Sequence, residues 1–116
     1  MTYPVVTIAH CKFLNDTAAL RGGALFAADN SRLSILDAAF TGNAAKTADG
    51  GGIFIQYCPS MSISNATFTS NYAAYDETCT GGAIYSMEVD TVDINHSVFT
   101  SNVSSLGGAI ACAGGL

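Results

Sequence analysis

One internal period dominates this chain: a Gly-Gly pair followed by a small and an aliphatic residue, then Phe-x-x-Asn at a fixed distance. Gly22 to Phe40, Gly50 to Phe68 and Gly81 to Phe99 each span 18 residues, whereas the returns from Phe13, Phe40, Phe68 and Phe99 to the next Gly take 9, 10, 13 and 8. A constant segment alternating with a variable one suits a solenoid. Its rungs must keep register along most of each coil, and insertions collect at one corner.

Counting the first Gly of each unit as position zero, the columns of the repeat predict side-chain directions. Position 3 holds Leu25, Ile53, Ile84 and Ile110; position 11 holds Val6, Leu33, Met61 and Val92; position 13 holds Ile8, Ile35, Ile63 and Ile94; position 18 holds Phe13, Phe40, Phe68 and Phe99. Polar Thr7, Ser34, Ser62 and Asp93 fall between positions 11 and 13. That is the alternation of a strand with one buried face. The expectation is an all-β fold of about four coils, with three short strands per coil near positions 2 to 6, 11 to 14 and 16 to 19. A neighbouring coil about 4.8 Å away would supply the backbone partners and cover the inward aliphatics.

Small residues at position 16 (Cys11, Ala38, Ala66 and Ser97) are expected inward beside the phenylalanines. Position 21 carries Asp16, Asn43, Asn71 and Asn102, an expected inward amide ladder at a bend, where Asx side chains bond nearby backbone. The Gly-Gly pair meets a need for close backbone approach or positive φ where the chain re-enters a strand.

These motifs resemble the repeats of the chlamydial polymorphic outer membrane proteins, which are surface adhesins with autotransporter-type passengers. The matching residues are GGAL at 22 to 25, GGAI at 81 to 84 and 107 to 110, FTGN at 40 to 43, and FTSN at 68 to 71 and 99 to 102. GGGI at 50 to 53 and FLND at 13 to 16 depart from the pattern, the latter with Asp16 where the amide is expected. The resemblance implies a right-handed, single-stranded parallel β-helix of the pectin-lyase-like kind, and a secreted or cell-surface location. On this reading residues 1–116 form one β-helix segment of a longer protein, with partial coils at 1–21 and 107–116. Open ends of such a stack invite neighbouring coils or end-to-end self-association.

With 49% hydrophobic and 11% charged residues the chain has material for a core but little for a charged surface. The net charge of −5, with only Lys12, Arg21, Arg32 and Lys46 basic, argues against nucleic acid as a partner. The apolar runs are far shorter than the roughly 20 residues of a transmembrane helix. No Cys-x-x-Cys or His-spaced pair suggests zinc, and no cofactor is implied. Cys11 and Cys112 are expected as small buried hydrophobes, too far apart to bridge, and a bridge between Cys58 and Cys79 is left open.

The expected contact surfaces are two. Phe26, Phe54 and Tyr85 share position 4, opposite in parity to the aliphatic column, and form an outward aromatic ladder suited to sugar rings or a protein partner. Tyr72, Tyr75, Asp76 and Glu77 lie in the longest return, at the variable corner. Position 15 stacks His10, Asp37, Asn65 and His96; a His10–Asp37 acid-base pair is weighed there against ordinary turn chemistry, which is preferred. Polysaccharide lyases and hydrolases on this fold cluster carboxylates beside a basic residue or calcium. Here Asp29 and Glu88 share position 7 two coils apart, while Glu88, Asp90 and Asp93 fall along one coil, so no catalytic residue is assigned. Asn15, Asn65, Asn95 and Asn102 head glycosylation sequons, with Asn95 and Asn15 the expected acceptors in a eukaryotic secretory pathway.

Overall fold

The computed structural model describes residues 4–19, 22–28, 31–46, 50–73, 81–104 and 108–113. These residues are all strand and tight corner. β1 (Val5–Ala9), β2 (Lys12–Leu14) and β3 (Thr17–Ala18) belong to the first rung. β4 (Leu25–Ala28), β5 (Arg32–Leu36), β6 (Ala39–Thr41) and β7 (Ala44–Ala45) follow in the second. β8 (Ile53–Gln56), β9 (Ser60–Ser64), β10 (Thr67–Thr69) and β11 (Tyr72–Ala73) make the third. β12 (Ile84–Met87), β13 (Thr91–Asn95), β14 (Val98–Thr100) and β15 (Val103–Ser104) make the fourth, and β16 (Ile110–Ala113) opens the next.

Strands do not pair with their sequence neighbours. They pair one coil away, in parallel, as four four-stranded sheets with orders β1-β5-β9-β13, β2-β6-β10-β14, β3-β7-β11-β15 and β4-β8-β12-β16. The register is column on column: Ile8 on Ile35, Ile35 on Ile63 and Ile63 on Ile94 in the first sheet, and Phe13 through Phe99 in the second. The chain is thus a parallel β-solenoid. The three expected strands per coil are present at positions 3 to 6, 10 to 14 and 17 to 19, and a fourth of two residues at 22 to 23 joins them. Two residues are too few to display an alternation, so the period-2 pattern is silent there.

Single left-handed residues separate the strands. Position 15 is positive in φ in all four coils, at His10, Asp37, Asn65 and His96 (48 to 56°). Position 20 behaves likewise at Asn15, Gly42, Ser70 and Ser101, as does position 7 at Tyr57 and Glu88. One residue in this region turns the chain and restarts the in-out alternation on the next face. Asn, Asp and His tolerate it better than most side chains, which accounts for much of the polar composition of the corners.

The Gly-Gly pair serves both roles the sequence suggested, one per residue. Gly50 sits at φ 71°, where a side chain is strained. At Gly51 a Cβ would run into the carbonyl of Gly82 and the backbone of Tyr72, so close rung-to-rung approach excludes any larger residue.

The interior is a continuous cluster that includes Leu33, Ile35, Phe40, Ile53, Ile55, Met61, Ile63, Phe68 and Ile84. Each side chain buried this fully is worth roughly 1.5–3 kcal/mol relative to exposure. Phe13, Phe40, Phe68 and Phe99 stack at 4.7, 4.8 and 4.8 Å, with planes within 7° of one another. Beside them runs the amide ladder. Asn43 and Asn71 are completely buried. Each donates its side-chain amide to the Phe carbonyl of the preceding coil and to the next Asn Oδ1, at 2.9 to 3.0 Å. That Oδ1 also accepts the backbone N–H of the ladder residue before it. Among the described residues no buried side-chain N or O lacks a partner.

Position 16 is inward in the middle of the stack, where Ala38 and Ala66 are buried, but Cys11 is exposed. Cys112 is exposed as well, although its column partners Ile55 and Ser86 are buried. The expectation that both cysteines are buried fails for a plain reason. Their columns face the core, but they stand on the outermost described rungs, where no further coil among the described residues covers them.

Candidate interaction faces

On β4, β8 and β12 the chain alternates inward aliphatic and outward aromatic. Phe26, Phe54 and Tyr85 stand opposite one another in the register of the fourth sheet. Their rings stack with centroids 5.2 Å apart and interplanar angles of 11° and 9°. The predicted ladder is therefore assembled, but it is not the uniform exposed surface expected. Phe26 is 46% exposed and Tyr85 is half-buried, whereas Phe54 is fully buried while standing outside the interior cluster.

Face-to-face stacking explains part of this correction. Rings piled along the solenoid axis turn their faces to each other and only their edges to the side. Both faces of Phe54 are taken by Phe26 and Tyr85. The face left over is the outer face of Phe26, on the edge strand β4, while the next neighbour of Tyr85 in register is the small Ala111. A ligand that lies flat on an aromatic face would find Phe26, not Phe54.

Of the variable-corner residues, Tyr72 is 40% exposed on β11, next to the buried Ala73. Tyr75, Asp76 and Glu77 lie outside the described residues, as do Asp29 and Cys79. The open Cys58–Cys79 question therefore stays with the sequence; Cys58 itself is buried, with Sγ 3.2 Å from the Gln56 carbonyl oxygen.

The position-15 corner is more specific than sequence alone suggested. His10 Nδ1 lies 3.4 Å from Asp37 Oδ2, beside an open groove lined by His10, Cys11, Lys12, Asp37, Asn65 and Thr67 among others. Both side chains are well exposed, at 74% and 42%. Such a surface pair contributes little to stability even when the imidazole is protonated. The shared left-handed backbone accounts for why polar residues occupy this column. Glu88, Asp90 and Asp93 are exposed along one coil, and no group of three or more metal-ligating side chains comes together among the described residues. Among the sequons, Asn102 belongs to the inward ladder as expected, and Asn15 is exposed. Asn95 is engaged, with its Oδ1 2.9 Å from Ser64 Oγ, whose hydroxyl donates.

Sequence reasoning missed two exposed features. Tyr57 is 50% exposed at a left-handed corner, and Val98 and Val103 are exposed on the outward faces of β14 and β15. The repeat carries a signal for the valines, since they occupy outward columns filled elsewhere by Thr67, Ala44 and Tyr72.

The family model described as "Right handed beta helix region" matches residues 1–115. Comparison with curated proteins and with solved structures returned no match.

Proposed function

Because the chain belongs to the family of right-handed β-helix regions, we propose that it is a structural and adhesive solenoid segment of a secreted or cell-surface protein. In this reading it holds an interaction face on a stiff support, and the finer resemblance is to the chlamydial polymorphic outer membrane protein repeats. The observation that carries the proposal is the pairing of a rigid interior with aromatic faces on the outside. Phenylalanine and asparagine ladders fix every rung, and the stacked Phe26–Phe54–Tyr85 column ends on the half-exposed ring of Phe26, turned toward a partner. Rigid rings lose little conformational freedom when a ligand settles on them. Sugar rings or a flat apolar segment of a protein are the ligands that fit.

A polysaccharide panel that includes pectate and alginate, read for binding and turnover with and without calcium, tests this. Binding without turnover, weakened by Phe26→Ala, is the expected result. The His10–Asp37 contact beside its groove favours a second reading, acid-base chemistry on a polysaccharide. Turnover abolished by Asp37→Asn would replace the first reading with the second.

A further inference from the structure

The repeat cuts a furrow along the side of the solenoid, and we infer that this furrow binds an uncharged linear glycan lying parallel to the axis, one sugar to each rung. The inference rests on the reading of the chain as a support for an interaction face, but it places the contact away from the Phe26 column. The groove beside the His10–Asp37 contact has a volume of about 450 Å³. Every residue that lines it stands at position 15, 16 or 17, and they come from three successive rungs. The second rung gives Asp37, Ala38 and Ala39, and the third gives Asn65 and Thr67. A depression bounded by the same positions in rung after rung runs along the stack, not around it.

The backbone explains the furrow. Asp37 and Asn65 are left-handed, with φ of 53° and 54°, and both are exposed at the corner between the first and second sheets. The residue that follows, at position 16, turns inward and is small: Ala38 and Ala66 are buried. Position 17 faces outward again, with Ala39 on Thr67 and Thr67 on Val98 in register. Two outward columns with a low floor between them are thus a product of the repeat. The second and third rungs, which supply most of the furrow, each have a rung on both sides.

The two walls differ, and the difference selects the ligand. One wall carries the Asp37 carboxylate and the Asn65 amide, planar groups that can each engage two neighbouring hydroxyls. The other carries Ala39, Thr67 and the exposed Val98, methyl-bearing side chains against which the C–H face of a sugar can lie. An extended peptide advances about 3.3 Å per residue and falls out of step with rungs about 4.8 Å apart. A pyranose in an extended chain is close to one rung long. Charge then decides among glycans. Among the described residues that line the second and third rungs of the furrow there is a carboxylate, Asp37, and no cation. Lys12 and His10 stand in the first rung, and His10 is already against Asp37. With a net charge of −5 on the chain, a polyuronate is repelled where a neutral hexose polymer is not.

Isothermal titration calorimetry with β-1,4-linked glucose and mannose oligomers, from disaccharide to tetrasaccharide, and with a galacturonate tetramer, tests the inference. Affinity for one of the neutral series should rise with each added sugar, and the galacturonate tetramer should bind more weakly. Ala39→Tyr fills the furrow from an outward position and should abolish binding. Asn65→Gly removes the amide but keeps a residue suited to the left-handed corner, and should weaken binding about fivefold. Thermal melts by circular dichroism check that both variants fold. Phe26→Ala should leave this binding unchanged. No binding of either neutral series, a preference for galacturonate, or binding indifferent to both Ala39→Tyr and Asn65→Gly would overturn the inference. Binding lost on Phe26→Ala but kept in the two furrow variants would leave the aromatic face standing and remove the furrow, so the two readings fail separately.

Discussion

Two aromatic ladders run parallel through this molecule, one inside its wall and one outside, and they differ in a way that separates scaffold from surface. The inner ladder, Phe13 to Phe99, stacks at 4.7 to 4.8 Å with ring planes 2 to 7° apart. The outer ladder, Phe26 to Tyr85, stacks at 5.2 Å with planes 9 and 11° apart. The backbone rise is common to both. The inner rings are also held at their edges by the aliphatic columns and by the amide ladder whose donors bond the Phe carbonyls, so they settle at the rise itself. The outer rings stand in a slightly wider and more tilted stack, with Phe26 at its exposed end. Burial is uniform along the middle of the inner ladder but graded along the outer one, from the exposed Phe26 to the buried Phe54.

Breaking the inner ladder should cost most. Phe68→Ala removes a fully buried ring from between two others and opens a cavity that stacked rungs cannot close, so urea denaturation should show a loss of about 3–5 kcal/mol. Phe54→Ala sharpens the comparison, since that ring is just as buried but belongs to the looser outer ladder, where Phe26 and Tyr85 can close part of the space. A loss of about 2–3 kcal/mol in the same experiment is expected. Phe26→Ala, at the half-open end of the outer ladder, should cost about 1 kcal/mol or less while reducing ligand binding on the panel.

The same contrast explains what the sequence made legible. Phe40, Phe68, Ile35 and Ile63 recur at fixed positions with polar residues between them, and a recurring inward column in a repeat has one explanation. Asn43 and Asn71 were readable because a buried amide at a bend has to satisfy backbone groups. The burial of Phe54 was not readable, because parity assigns a side of the sheet and says nothing of what covers that side. Cys11 and Cys112 were misplaced for the complementary reason: a column's direction was taken for burial, and burial requires a rung on each side. The fourth strand lay below the length at which alternation becomes a signal. The His10–Asp37 contact was anticipated as a juxtaposition, but only the backbone of His10, Asp37, Asn65 and His96, all left-handed, explains why that column is polar.

All of these assignments rest on the in-out alternation of the strands, and β10 carries both sides of it in adjacent residues. Phe68 points inward and is completely buried, while Thr69 lies on the outward side between Thr41 and Thr100. Paired urea denaturation curves of Phe68→Ala and Thr69→Lys against the parent test it most directly. A loss of about 3–5 kcal/mol for the first and a change within about 0.5 kcal/mol for the second is the predicted result. Equal losses, or a Phe68→Ala variant as stable as the parent, would contradict the alternation and with it the placement of every face described above.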